Sequence, residues 1–348
     1  MTSATVTIAQ VLAGAPYGGA ENYYTRMVCA LASVPELKQI AFTRPVKERI
    51  ETIQASGVAT QCFRFGGKLD LLGHRRYRKA LQALNPDVVL TYMNRASGLT
   101  PAGDYKLACR LGHYYDLKYY RHADAWIGIT KGICDHLVRG GMDAANIVQI
   151  PNFADETPVS AYQRSDFVAG NEPLLLAAGR LHHHKGFDVL LKAMPAIPNG
   201  ILLLAGGGPE EKALKALALD LGISERVTFL GWRNDVAALM ETADIFVCPS
   251  RHEGLGSIVV ESWFHGCPIV ATDSQGPGEL IDHTHTGVIT PIDEVDALAD
   301  AINGLLLDKK TASKLAENAK AEYTANYSKS VIVNQYAEFF HSLRRAAV

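Results

Sequence analysis

The stretch from Pro249 to Ala271, P-S-R-H-E-G-L-G-S-I-V-V-E-S-W-F-H-G-C-P-I-V-A, constrains this chain most. An apolar run, Ile245 to Val247, arrives at Pro249 and stops. A loop with Glu253, Gly254 and Gly256 follows. Ser257 to Phe264 then reads as a helix, closed by Gly266 with Pro268 just beyond. A second apolar run, Pro268 to Ala271, comes at once, so the order is strand, glycine loop, helix, strand. Glycines let backbone approach a ligand closely. The free N–H groups at a helix start favour an anion. Glu253 sits in the loop and Glu261 inside the helix. A carboxylate repels a phosphate but accepts hydrogen bonds from neutral sugar hydroxyls. The local reading is one site for a phosphate and two polyol parts, as in a nucleotide sugar. The alternative is an ordinary βαβ unit with a glycine turn and two solvated glutamates, because one glycine loop is weak evidence.

The rest of the chain repeats the pattern. Val6 to Leu12 reads as a buried strand running into A-G-A-P-Y-G-G-A-E-N, where Gly18 and Gly19 open a helix to about Leu31. This is again the layout of an anion site at a helix start, or else a tight turn. The G-x-G-x-x-G spacing and the acidic residue of a dinucleotide fold are missing, which disfavours NAD. Further strands are expected at Gln39–Phe42, Val58–Phe63, Val88–Tyr92, Lys106–Leu111, Trp126–Ile129 and Ile147–Ile150, with helices between. Ligand loops are expected at residues 14–19, at Met93 to Ser97, and at Gly112 and His113.

Residues 1–153 read as an N-terminal Rossmann-like domain on the acceptor side. Residues 154–172, in a polar stretch with few apolar residues, read as a linker. Residues 173–326 read as a C-terminal Rossmann-like domain that binds a nucleotide sugar. The last helix, within 327–348, is expected to pack back on the N-terminal domain. The fold class is therefore α/β, two doubly wound domains facing a central cleft.

Length supports two domains, and 48% apolar content supplies two cores. The net charge of −2 gives no support to nucleic acid as a partner. The six cysteines form no C-x-x-C pair and suggest buried free thiols in a reducing cytosol. No apolar run approaches the roughly 18 residues that span a bilayer, and Met1 to Gln10 does not read as a signal peptide. The expectation is a cytoplasmic protein, soluble or peripheral.

Arg180 and Lys185 lie just past the Leu174–Ala178 strand and suit a diphosphate, as fork and point charge, or are solvated loop charges. His182, His183 and His184 read as loop residues, not metal ligands. No D-x-D pair exists to hold a metal on a diphosphate, so neither metal nor cofactor is expected. Arg64, Lys68, Arg75, Arg76, Arg78 and Lys79 face only Asp70, with leucines and Tyr77 interleaved. Such a segment, 75–79 above all, docks on an anionic membrane, binds an acidic acceptor, or is a solvated helix face.

Together these motifs resemble the retaining GT-B glycosyltransferases of glycosyltransferase family 4. The resemblance rests on E-x7-E (Glu253 to Glu261), A-A-G-R-L-H-H-H-K-G-F-D-V-L-L, L-L-L-A-G-G-G-P-E, V-T-F-L-G-W-R-N-D-V and G-G-A-E at 18–21. It covers nearly the whole chain and is strongest from Leu174 to about Pro291. It implies that Arg180 and Lys185 hold the donor diphosphate, and that Glu253 binds donor sugar hydroxyls. Gly254, Leu255, Gly256 and Ser257 would lie near sugar and phosphate, and Glu261 would take the ribose. Trp232 and Arg233 fall in the base-binding loop. Gly18 and Gly19 form the N-terminal phosphate loop, and His113 matches the active-site histidine. The implied catalytic set is His113, Glu253, Lys185 and Arg180. The implied reaction is metal-independent hexosyl transfer with retention, from a UDP-sugar rather than a GDP-sugar, to a glycan or glycolipid. The stretch Y-Y-D-L-K-Y-Y-R-H-A-D (114–124) is similar to bacterial members that build lipopolysaccharide or other surface glycans. The region from 92 to 113, where an acceptor site would be built, looks abbreviated for the family. Two rival readings are a GT-B sugar-nucleotide epimerase and a non-catalytic nucleotide-sugar-binding protein.

Overall fold

A computed structural model describes residues 5–67, 70–254 and 256–344. The chain divides into two compact units, Met1–Asn152 with Lys329–Val348, and Phe153–Ser328.

The N-terminal unit runs β1 (Val6–Leu12), α1 (Gly19–Leu31), β2 (Leu37–Thr43), α2 (Lys47–Ala55), β3 (Ala59–Cys62), α3 (Leu71–Leu84), β4 (Val88–Tyr92), α4 (Met93–Leu99), β5 (Lys106–Leu111), β6 (Ala125–Gly128), α5 (Lys131–Arg139) and β7 (Ile147–Gln149). The seven strands are ordered β3-β2-β1-β4-β5-β6-β7. All pairs are parallel, Ile8 standing beside Val88 and Val6 beside Leu37. Order reverses between β1 and β4, so the loops beyond these two strands flank the position where such sheets bind ligands. β1 and β4 are almost wholly buried, which is why they read as continuous apolar runs instead of alternating ones.

The C-terminal unit runs β8 (Leu174–Ala178), α6 (Phe187–Ala193), β9 (Ile201–Ala205), α7 (Glu211–Asp220), β10 (Val227–Gly231), α8 (Val236–Thr242), β11 (Ile245–Cys248), α9 (Ser257–Phe264), β12 (Ile269–Thr272), α10 (Gln275–Leu280), β13 (Val288–Thr290), α11 (Val295–Leu307) and α12 (Lys309–Glu322). Its six parallel strands are ordered β10-β9-β8-β11-β12-β13, with the reversal between β8 and β11. Two apolar clusters pack its sheet, one with Leu175, Leu190 and Ile302, the other with Phe246, Val260 and Trp263. The fold is GT-B, two parallel-sheet Rossmann-like domains.

Three expectations need adjustment. Met93 to Ser97 is helical, not a loop, because α4 starts directly on β4. The Thr91 and Ser97 hydroxyls meet at 2.8 Å and Ser97 Oγ donates to Met93 O at 3.1 Å, tying the turn shut. Polar residues 154–172 fold onto the C-terminal unit. Tyr162 N donates to Thr242 Oγ1 at 2.9 Å, and Arg164 reaches Asp244 Oδ2 at 3.0 Å. Of the six thiols only Cys109, Cys248 and Cys267 are buried, and Cys62 is exposed.

The last helix, α13 (Lys329–Leu343), belongs to the N-terminal unit. Buried Arg110 donates through Nε to Tyr336 Oη at 3.1 Å and through Nη2 to Asn152 Oδ1. Its guanidinium lies 4.3 Å from the Tyr23 ring centroid. The neutral oxygens and ring faces replace the water a buried cation loses.

Candidate active site

In the C-terminal unit, β8 and β11 deliver two loops to the switch point. The first, residues 179–186, carries Arg180 and Lys185; the second, residues 249–256, carries Glu253. Gly186 joins them. Its φ is 63°, and a Cβ there would lie 2.0 Å from Pro249 O, so only glycine permits this approach. Arg251 N and His252 N donate to His184 O at 2.8 and 3.1 Å, extending the contact. Gly206 and Gly208 of the G-G-G run likewise admit backbone; Cβ atoms there would fall 1.8 Å from Gly179 O and 2.3 Å from Leu181 O. These glycines close loop on loop.

Lys185 Nζ donates to Glu253 Oε2, the pair being 26% and 16% exposed. Burial pulls the Lys185 ammonium down, yet the charge of Glu253, nearby Cys248 and the hydrogen bond to Glu253 carry it above the ordinary lysine value. The lysine is therefore fully charged at neutral pH. Burial pushes the Cys248 thiol up to about 11, with Glu253 adding to it.

The sequence gave no warning of what holds these loops. Arg251 grips Asp188 on α6 with two bonds, 2.7 and 2.8 Å, and reaches Asp293 Oδ1 at 2.6 Å and His183 O at 2.9 Å. The Arg251 hydrogen bond holds the Asp188 carboxyl down at about 2. A two-pronged guanidinium–carboxylate contact fixes direction as well as distance. Gln275 adds a second tie: its Oε1 accepts from Glu253 N at 3.3 Å, and Gly276 N donates to Glu253 O at 2.8 Å. Spacing offered one hint, since Asp188 closes the K-G-F-D run that Lys185 opens.

Gly256 starts α9 at φ 68°. Val259, Val260, Ser262 and Trp263 are buried, while Ser257 and Glu261 lie partly exposed on the same helix. Leu255 lies outside the described residues. Arg180 is exposed and has no partner among the described residues. Trp232, 69% exposed, and Arg233 follow β10, two strands from β8. Arg233 is engaged already, donating to Asp235 Oδ1 at 2.8 Å and to Tyr162 Oη at 2.8 Å.

In the N-terminal unit, Gly18 precedes α1 and Glu21 fills the loop from within. Its Oε1 accepts from Ala15 N at 2.8 Å, and Cβ atoms on Gly14 or Gly18 would meet it at 2.4 and 2.3 Å. Arg49 donates to Ala15 O and Pro16 O, both at 2.9 Å. A Cβ on Gly19 would meet nothing within 4 Å. Gly18 is thus required by internal packing and Gly19 is not. His113 is exposed after β5, its ring 5.8 Å from that of Tyr115. On α3, Asp70 caps the start by accepting from Gly73 N at 3.1 Å. Leu71 and Leu72 are 73% and 77% exposed beside exposed Arg75, Arg76, Arg78 and Lys79. Lys68 lies outside the described residues. Among the described residues no helix is long and apolar enough to cross a membrane.

Residues 160–322 match the family model for glycosyl transferases group 1. The lipopolysaccharide core biosynthesis glycosyltransferase LpsE of Rhizobium meliloti (strain 1021) is 31% identical over 330 residues, spanning 93% of this chain and 96% of LpsE. A GDP-mannose-dependent alpha-(1-6)-phosphatidylinositol monomannoside mannosyltransferase of Mycobacterium tuberculosis (strain CDC 1551 / Oshkosh) is 30% identical over 205 residues, 55% of this chain and 53% of that one. The crystal structure of Anabaena Alr3699/HepE in complex with UDP and glucose superposes with a TM-score of 0.82 at 21% identity, covering 97% of this chain and 100% of that chain. With the family model over the Lys185–Glu253 site and a relative matching end to end, the chain belongs to the group 1 glycosyl transferases and is a glycosyltransferase enzyme.

Proposed function

We propose that this enzyme is a family 4 member. It moves a hexose-type sugar with retention, and without a metal, from a nucleoside diphosphate sugar to a glycan or glycolipid in cell-surface polysaccharide synthesis. The observation that carries this is the Lys185–Glu253 pair, part-buried on two loops locked together at the switch point. In the donor complex Lys185 and Arg180 neutralise the diphosphate. Glu253 turns from the lysine to the donor's hydroxyls, and Glu261 takes the ribose. The bond from the sugar's anomeric carbon to phosphate oxygen breaks. A bond to the acceptor oxygen forms on the same face, and the departing phosphate takes the acceptor proton. For Gly18, Gly19 and His113 the assignment rests on the family resemblance.

UDP is preferred because HepE, which shares the fold, is seen with UDP; the GDP-mannose-dependent relative makes GDP-sugars the competing donors. LpsE supports a lipopolysaccharide-type product. The exposed leucines and basic residues of α3 support peripheral docking at the cytoplasmic face of the membrane. Replacing Arg75, Arg78 and Lys79 by alanine should then weaken binding to anionic vesicles, and unchanged binding would remove that part.

The deciding experiment is calorimetry plus product detection with UDP-, GDP- and ADP-sugars in the presence of chelator. Binding of one donor with slow release of free sugar supports the proposal. Conversion of the donor into its epimer, or no binding of any donor, rejects it.

A further inference from the structure

The loop after β5 carries an aromatic series that the donor chemistry leaves unused. At its base Tyr120 is fully buried; Trp126 Nε1 donates to its carbonyl at 3.0 Å. Its hydroxyl donates to Asn94 Oδ1, on α4, at 2.6 Å. Tyr115 stacks on Tyr120 with centroids 6.2 Å apart and planes at 19°. The His113 ring lies 5.8 Å from Tyr115, and Tyr114 stands edge-on to both His113 and His136. His136 Nε2 meets Tyr115 O at 3.0 Å, pinning the loop to α5. The series therefore climbs from the core at Tyr120, through half-buried Tyr115, to exposed His113. Its position is fixed before any ligand arrives, which lowers the entropy of binding.

Polar groups border the rings. Asn94 uses its oxygen on Tyr120, and its amide N–H groups have no partner among the described residues. Arg95 is exposed and likewise unpartnered among the described residues. Met93, just ahead of both, sits at φ 68°, a conformation that costs a residue with a Cβ on the order of 1 kcal/mol. The strain keeps α4 hard against the end of β4 and holds Asn94 and Arg95 at the sheet's carboxyl edge.

The geometry points to a saccharide subsite on the N-terminal unit, made by the aromatic series of residues 113–115 with Asn94 and Arg95. An aromatic face packs the C–H face of a pyranose, while an amide and a guanidinium donate to its hydroxyls. A bare lipid chain suits the site poorly, since it would desolvate Asn94 and Arg95 without pairing them. The acceptor therefore presents a sugar, not a lipid alcohol, to this loop. This deepens the proposed function and rests on it.

Saturation-transfer NMR on the full chain tests it, with methyl α-glucopyranoside, methyl α-mannopyranoside and maltose as probes. Saturation should reach the ring C–H protons. It should fall about five-fold in Tyr115→Leu, the loss of roughly one aromatic contact, and persist in Tyr115→Phe. Tyr114→Leu serves if Tyr115→Leu does not fold. Equal saturation in the folded leucine variants overturns the subsite, as does absence of saturation with every probe. A signal lost with Glu253→Ala instead would place the sugars at the donor site and overturn it too. Binding of UDP-glucose and GDP-mannose by the unmodified protein, measured alongside, separates failure of the donor reading from failure of the subsite.

Discussion

The glycine loop after β1 and the paired loops after β8 and β11 occupy equivalent places in two similar sheets, yet use their acidic residue in opposite ways. Glu21 is 5% exposed, bonded to Ala15 N and pressed against Gly14 and Gly18. It is part of the loop's own framework. Glu253 stands part-exposed against a lysine, a partner that a ligand can displace. The loop scaffolding in the C-terminal unit comes from elsewhere, chiefly Arg251 and the Gly186–Pro249 approach. An acid beside a glycine turn is therefore a ligand group only when something else holds the turn.

The sharpest way to break this contrast is to remove each acid. Glu253→Ala and Lys185→Ala should each lower transfer by roughly 100- to 1,000-fold, the scale of losing one charged contact to the reacting group. Their melting midpoints should shift by no more than about 4 °C. Initial rates with the preferred nucleotide sugar, alongside thermal melts, give the answer. Near-normal rates in either variant would reject the site. Glu21→Ala should do the reverse. Leaving Ala15 N–H buried without its acceptor costs about 1–3 kcal/mol, read as a lower denaturant midpoint. Full stability with lost activity would make Glu21 a ligand group and erase the distinction.

Arg251→Lys probes the scaffold itself. An ammonium cannot make the two parallel bonds to Asp188 and still reach Asp293. Transfer should fall about ten-fold through misplacement of Lys185 and Glu253, as expected when positioning is loosened. Donor affinity measured by calorimetry should fall with it. A rate within two-fold of the unmodified enzyme, on the order of experimental scatter in such free energies, would show that the glycine approach alone sets the geometry.

Most strands and the E-x7-E helix were legible because buried parallel strands leave continuous apolar runs between glycine turns. Arg180, Lys185 and Glu253 were legible because charges at strand ends stand out. What stayed hidden depends on contacts far apart in sequence. Arg251 meets Asp188 across 63 positions, and nothing local marks either as a clamp. Met93 to Ser97 carries asparagine, serine and glycine and reads as a loop, but the Thr91–Ser97 bond makes it helix. The segment 154–172 is polar, yet its polarity is matched by Thr242, Asp235 and Asp244. Gly18 and Gly19 look equivalent in sequence; only the position of Glu21 separates a packing glycine from one that faces open space.

The smallest expected effect concerns acid. Asp188 has its pKa lowered from 3.8 to about 2, first by its hydrogen bond to Arg251. A carboxyl depressed in the folded state favours the charged form there. Its contribution to stability is therefore complete above about pH 4 and drains away as pH falls toward 2. Partial exposure of the pair limits it to roughly 1–2 kcal/mol. Asp188→Asn removes the charge while keeping the shape. The stability gap between unmodified protein and Asp188→Asn, measured by denaturant unfolding, should be widest near neutrality and narrow as pH drops from 4 to 3. Other carboxylates titrate in the same window, but they are common to both proteins and cancel in the difference. A gap that does not change with pH would mean that Arg251 holds the loops by shape and by its bond to His183 O, with charge contributing little. The C-terminal loops would then resemble the N-terminal one, where Arg49 grips carbonyl oxygens and no acid is needed for that grip.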